Sequence, residues 1–529
     1  IVDKRRPSSS GTFNGTNTHY TNIASNALFD AYANYMKEIG KHNLSFMVGH
    51  SYQRFYFSKV SNLTEYFVGE RDKVTPVDDK SRNVLVSFFG RANYSFNDRY
   101  MLTATLRADA SSKLNPDDRW GYFPSVALAW NAKNESFLKE KETVNDLKLR
   151  LGYGEVGNVN GLGDYLFLTR YVGSINDGAY YQLGNRYIAT SRPESVNKHL
   201  KWEIGNTLNA GIDYGFFGNR FFGSVDVYRK LTKDLIAEAN VAPFTNYGSR
   251  IASNIGDMEN KGIDFVINLN PIKREHFSWS VSFNGLYYKN TITKLPEELR
   301  EKGVSRGGSQ ILKEGGSIYD FYMVRWAGVN PDNGDAQFYI KNPATGAYEV
   351  KGSAAYEMEN SRTFVGSSIP DLQGGFGSNF RLYNFDLSLQ FAYQLGGKFY
   401  DYQYAGLMHS GQLGRGWHTD MRARWSPENP HTDVPRLEFA NQKLLSSSDR
   451  FLIDASYLSL RNISVGYSLP EEVCQKLHLN KLRYYITAEN VYLWSKRKGL
   501  DPRSSLAGVN SSAVYSPIRT VSMGLTLNF

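Results

Sequence analysis

The chain has 529 residues, 14% of them aromatic, with 47 Gly and a single cysteine, Cys474. Its formal net charge of +9 is spread over intermixed Lys, Arg, Asp and Glu, so no basic block marks a nucleic-acid groove, and one thiol cannot close an intrachain disulfide. Mean hydropathy is negative, and no run of about 18 apolar residues offers a membrane helix. These features leave a transmembrane barrel open, because alternating lipid-facing and lumen-facing residues average to a low hydropathy.

Taken in chain order, the first ten residues, IVDKRRPSSS, are not a signal peptide, since no apolar run follows the basic residues. Period-2 alternation then dominates. Tyr100, Leu102, Ala104, Leu106 and Ala108 alternate with Met101, Thr103, Thr105, Arg107 and Asp109. Ile204, Leu208, Ala210, Ile212, Tyr214 and Phe216 share one parity, and Glu203, Thr207, Asn209 and Asp213 the other. The same holds for Phe385, Leu387, Leu389, Phe391 and Tyr393, and for Val521, Met523, Leu525, Leu527 and Phe529 at the C-terminus. A strand sends the two sets to opposite faces. The segments run about 10–14 residues, longer than the about 5–6 of globular sheets and enough for the about 9–11 that cross a bilayer.

Short turns join many of these segments: FNDRY at 96–100, FFGNRFF at 216–222 and LYNF at 382–385. Tyr94, Phe96 and Tyr100 flank the first, and Phe216, Phe217, Phe221 and Phe222 the second, as in an aromatic girdle at a membrane interface. Long polar segments lie between the pairs, at about 157–202, 292–370 and 400–454. The predicted fold class is all-β, a transmembrane antiparallel β-barrel with short periplasmic turns and long extracellular loops. Strands are expected to begin near residues 26, 43, 82, 99, 119, 146, 203, 220, 259, 276, 371, 385, 455, 481 and 518, about 15 in all, with Phe529 in the periplasm. Single-chain barrels have an even count and a first strand running outward, so an odd count predicts at least one strand upstream, and about seven if the whole is a 22-stranded plugged barrel.

Motifs with chemical associations carry plainer readings. GYGEVG at 152–157 fits a dinucleotide fingerprint, but its glycines end a strand and no helix pattern follows. PDNGDAQF, with Asp332, Asn333 and Asp335, reads as a turn ahead of a weak structural Ca2+ loop. His409 and His418 match no metal spacing, Glu297 and Glu298 lie in a charged loop segment, and no catalytic constellation emerges, so the chain is not read as an enzyme. The binding candidates are loop aromatics beside charged groups: Tyr402, Tyr404, Trp417 and His418, among Tyr400, Arg415, Asp420, Arg422, Arg424 and Trp425. Their alternative role is to pack the loop itself or to touch a protein partner.

Several stretches resemble the SusC/RagA family of TonB-dependent transporters of Bacteroidetes. They are KWEIGNTLNAGIDYGFFGNRFFGSVDVYRKLTKDLI at 201–236, NIGDMENKGIDFVINL at 254–269, GGSIYDFYMVRWAGVNPDNGDAQF at 315–338, VGSSIPDLQGGFGSNFRLYNFDLSLQFAYQLGGKFYD at 365–401, ASYLSLRNISVGYSLP at 455–470 and LRYYITAENVYLWSKRKGLDP at 482–502. The resemblance implies an outer-membrane, multi-pass barrel that imports oligosaccharides or peptides. It implies a SusD-like surface lipoprotein as partner, contact with TonB through an N-terminal region, and no cofactor. On this reading residues 1–529 are the C-terminal part of the barrel, and the plug domain, TonB box and first strands lie outside them. The competing reading is a β-rich outer-membrane or secreted binding protein or adhesin without active transport.

Overall fold

The computed structural model describes residues 2–6, 13–67, 73–173, 180–194, 196–240, 250–352, 355–409, 411, 414–437, 448–497, 499–510 and 516–529. Sixteen strands, from Val2–Arg6 to Thr520–Asn528, form one sheet whose order follows the chain. Each of the fifteen expected starting points falls in or within two residues of one of these strands. The sixteenth is Val2–Arg6, which pairs antiparallel with Thr16–Tyr20. Alternation could not reveal it, because VDKRR has no apolar set to alternate; backbone pairing alone makes it a strand. The described sheet therefore has sixteen strands, one more than the alternation marks.

The turns explain how neighbouring strands reverse. Asn97 and Asp98 both adopt left-handed φ, +52° and +53°, where Asn and Asp are tolerated. In FFGNRFF, Phe217, Gly218 and Asn219 are all left-handed, and Asn145 accepts the Gly218 N–H at 2.7 Å. Leu382 pairs directly with Phe385, leaving Tyr383–Asn384 as a two-residue loop.

The described chain falls into two compact units. The first comprises Ile1–Trp130, Arg150–Leu208 and Lys230–Asp257. Here register carries the alternation from strand to strand. Tyr100 faces Trp130, Leu102 faces Leu128, Ala104 faces Val126, Leu106 faces Pro124, Ala108 faces Tyr122 and Ala110 faces Trp120. On the other side Phe96 faces Tyr100, Tyr94 faces Leu102 and Phe88 faces Ala108. Directly opposed residues share a face, so this face is apolar throughout and Leu102, Leu106, Val126 and Leu128 stand exposed on it. Aromatics collect at its two ends: Tyr94, Phe96, Tyr100 and Trp130 by the short turn, Phe88, Trp120 and Tyr122 at the far end. Ten residues separate Trp120 from Trp130, about 34 Å along the strand, or about 24 Å along the normal at a tilt of about 45°.

The opposite face of the same strands is polar and internally bonded. Arg107 Nε donates to Asp109 Oδ1 at 2.7 Å, Arg107 Nη2 to Ser87 Oγ at 2.8 Å, and Thr103 Oγ1 to Asn93 Oδ1 at 2.9 Å. At the loop end of this face Phe123 packs edge-on against Trp202, centroids 5.4 Å apart, within a buried cluster that includes Leu114, Val159, Leu162 and Leu200. The GYGEVG glycines lie inside the strand Val144–Asn158, and a Cβ at Gly157 would overlap the Phe123 and Trp202 rings. Gly157 thus serves ring packing, not a phosphate. Ile204, grouped by parity with Leu208, packs on this cluster, whereas Leu208 stands exposed.

The second unit comprises Asn131–Leu149, Asn209–Arg229 and Met258–Phe529. Its apolar face is an aromatic ladder. Trp279 stacks on Phe380, Phe283 on Tyr393 and Phe376 on Phe391, with interplanar angles of 6°, 3° and 11°. Tyr214, Phe216 and Phe221 cluster beside their turn, whereas Phe222, one residue on, alternates away and lines a cavity with Asp213. The other face presents hydroxyls and amides. One register row runs Ser280, Asn379, Ser388, Ser464, Thr487 and Ser522 across six strands. Beside it Arg483 grips Asp386 through two N–H donors, at 2.6 and 3.1 Å, over Gly466, whose missing side chain leaves the room.

The long segments hold more than solvated loop. Residues of 292–370 and 400–454 build a hydrophobic core of their own, in which Phe321, Val324, Phe338, Tyr400 and Phe451 are fully buried. Small sheets frame it, one of them joining Trp326–Val329, Ala336–Lys341 and Tyr348–Lys351.

Candidate functional site

The loop aromatics are held by that core. Asp401 caps the short helix Tyr402–Leu407 by accepting the Tyr404 N–H at 3.0 Å. Tyr404 meets His418 edge-on at 4.9 Å, donates its hydroxyl to Asp420 Oδ2 at 2.8 Å and carries the Arg497 guanidinium across its ring. Burial, then the bond to Asp420, push the Tyr404 hydroxyl above its ordinary range. Arg497 also reaches Asp401 Oδ2 at 3.1 Å, tying the segment around 401 to that around 497.

Of the four predicted residues, the fold brings Tyr404 and His418 together. Tyr402 packs edge-on against Tyr400 and donates to the Gly307 carbonyl at 3.3 Å. Trp417 stacks on His409 and donates to its carbonyl at 2.9 Å, while half of its surface remains exposed. Packing of the loop therefore accounts for the contacts of Tyr402 and Tyr404, and Trp417 is the member that offers a ring face outward. Trp425 covers Gly334 and donates to Pro331 O at 3.0 Å.

Charged groups in this region are used structurally. Asp335 pairs with Arg436 at 2.8 Å, and Asn333 donates to Asp335 at 2.8 Å, so PDNGDAQF is a bonded turn. Among the described residues no group of three or more His, Cys, Asp and Glu is placed to hold a metal ion. Asp449 accepts the Trp326 N–H at 2.7 Å, and burial raises its carboxyl above the usual range. Arg450 lies over Trp326 and Phe451, and burial lowers its guanidinium from its ordinary value.

A second feature, in the first unit, had no signal in the sequence. A cavity of about 400 Å³ opens beside the Phe123–Trp202 cluster. Its floor is Leu166, Leu200, Ile236 and Ile251, and its rim carries Arg170, Glu194, Asn197 and Glu238. Arg170 Nε pairs with Glu194 Oε2 at 2.7 Å, and the Glu194 N–H donates to the Arg170 carbonyl at 2.8 Å. These residues come from four separated stretches, with no spacing that could announce them. A larger depression of about 980 Å³ in the second unit lies at the short turn, between Asp146, Asp213, Arg220 and Lys273.

Comparison with known proteins agrees with this architecture. Residues 3–441 match the family model for the TonB dependent receptor-like β-barrel. The chain is 32% identical to TonB-dependent receptor P3 of Formosa agariphila over 536 residues, 95% of this chain and 52% of that protein. It is likewise 32% identical to TonB-dependent receptor SusC of Bacteroides thetaiotaomicron, over 97% of this chain and 51% of that one. The chain thus spans about half the length of the relatives it matches. In fold it is similar to a chain of the RagAB peptide transporter, with a TM-score of 0.84 at 24% identity, covering 97% of this chain and 56% of that one. The two-faced strands, the aromatic belts and the family match lead to one conclusion: the chain belongs to the TonB dependent receptor-like β-barrel family of the outer membrane.

Proposed function

We propose that this chain forms barrel wall and outer loops of a SusC-like TonB-dependent importer that takes up oligosaccharides or peptides. The observation that carries the reading is the two-faced sheet. One face is apolar and bounded by aromatic belts about 24 Å apart, which suits lipid. The other is lined by Ser, Thr, Asn and Gln, which suits a hydrated passage for polar solutes. The match to SusC supports nutrient import, and the similarity to RagAB supports the same fold. The plug domain and TonB box belong, in this proposal, to parts of the relatives' length that the chain does not span. A SusD-like lipoprotein would meet the outer loops, where Trp417 stands exposed beside Arg415. Any Ca2+ in those loops would bind as a structural ion.

The test is uptake by whole cells. A strain whose growth on an oligosaccharide or peptide source depends on the full-length protein should lose that growth when TonB is deleted or the proton gradient is collapsed. Affinity capture from its outer membrane should recover a surface lipoprotein. Growth that is indifferent to TonB would overturn active import in favour of a passive or adhesive role.

A further inference from the structure

The cavity in the first unit has a composition that discriminates between ligand classes. A site for a sugar ring ordinarily offers an aromatic face to stack on; the described residues lining this cavity include no Trp, Tyr or Phe. Its floor is aliphatic and its rim carries both signs of charge, with Arg170 against Glu194 and Glu238. Its size, about 400 Å³, falls within the range of small-ligand pockets, about 300–1,000 Å³. It abuts the cluster around Phe123, and Phe123 sits opposite Arg107 in the register, on the polar face of the strands. The cavity is therefore on the same side of these strands as their polar face.

We infer that this cavity binds one to two residues of a short zwitterionic peptide bearing an aliphatic side chain. The inference rests on the import reading above and narrows its substrate class. The side chain lies on Leu166, Leu200, Ile236 and Ile251, where its burial drives binding. The ammonium meets Glu194 and Glu238, and the carboxylate meets Arg170. The existing Arg170–Glu194 pair does not preclude this. A guanidinium has five N–H donors and a carboxylate about four acceptor sites, so each can serve a second partner.

The experiment uses the purified protein in detergent and three probes, read by titration calorimetry: the dipeptide Leu-Leu, N-acetyl-Leu-Leu-amide and maltose. Leu-Leu should bind saturably, the doubly blocked peptide at least tenfold more weakly, and maltose without saturation. Glu194→Gln removes one rim charge at constant shape. Gly163→Trp fills the cavity while keeping the rim, and a Cβ there meets only Leu166 at ordinary contact distance, 3.7 Å. Each variant should lower Leu-Leu affinity at least tenfold with the gel mobility of the folded barrel unchanged. Absent Leu-Leu binding by folded protein, equal affinity for the blocked peptide, undiminished binding by Gly163→Trp, or maltose binding that Gly163→Trp abolishes would each overturn the inference. TonB-dependent uptake that persists without Leu-Leu binding overturns the cavity alone. Binding that persists without TonB-dependent uptake overturns the import reading alone.

Discussion

Leu106→Arg tests the orientation of the sheet at one residue. Leu106 is 57% exposed on the apolar face and sits opposite Pro124. It lies four residues from Ala110, which faces Trp120, and six from Tyr100, which faces Trp130. At about 3.4 Å per residue and a tilt of about 45°, it is about 10 Å from one belt and about 14 Å from the other. That is near the midplane, where an Arg on the lipid face costs about 2–4 kcal/mol. Thr105, its chain neighbour, points to the polar face and sits opposite Arg91. Thr105→Arg should cost under about 1 kcal/mol, the scale of a like-charge cross-strand pair. Urea titration of folding into lipid vesicles, followed by tryptophan fluorescence, measures both. Equal costs for the two variants, or less than about 1 kcal/mol for Leu106→Arg, would refute the assignment of this face to lipid.

Four further outcomes follow from packing and charge. A Cβ at Gly223 would overlap the Val266 carbonyl oxygen and the Tyr214 hydroxyl, so Gly223→Ala should destabilise by about 1–3 kcal/mol or more in the same titration. Gly218→Ala, in open space at φ +66°, should cost only the left-handed penalty of about 1–2 kcal/mol. A double-mutant cycle on Asp386 and Arg483, a half-buried bidentate pair, should give a coupling of about 1.5–3 kcal/mol; a value near zero would mean that the pair is solvated. Asp449→Asn keeps an acceptor for the Trp326 N–H and removes a carboxyl that burial raises in the folded state. The folded protein then holds that proton at a pH where the unfolded chain, near its ordinary value of about 3.9, has lost it. This contribution is full below the unfolded value and lost as pH rises through the folded one. Thermal melts should therefore show Asp449→Asn more stable than the parent at pH 7, with the gap closing towards pH 4. A pH-independent gap would remove the carboxyl as its cause.

Much of the wall was legible in the residues. In a strand the direction of each side chain is fixed by the covalent geometry of its own residue, so Leu102, Leu106 and Ala108 share a face whatever lies beyond them. The turns were equally local, since Asn97, Asp98 and Gly218 supply the left-handed backbone that a tight reversal needs. Val2–Arg6 was missed because it has no apolar period and becomes a strand only by pairing with Thr16–Tyr20.

The loops obeyed no local rule. Their Gly, Ser and Asn content read as solvated segment, yet Phe321, Phe338, Tyr400 and Phe451, up to 130 residues apart, close into one core. The sequence alone singled out Tyr402, Tyr404, Trp417 and His418 by type; the tertiary structure decided that Tyr404 is spent on Asp420 and Arg497 and that Trp417 keeps a face to solvent. It alone gathered Leu166, Leu200, Ile236 and Ile251 beneath the Arg170–Glu194 pair. Two-residue periodicity is written in neighbouring residues, whereas a cavity is made by residues far apart in the chain, whose meeting depends on how the loops between them close.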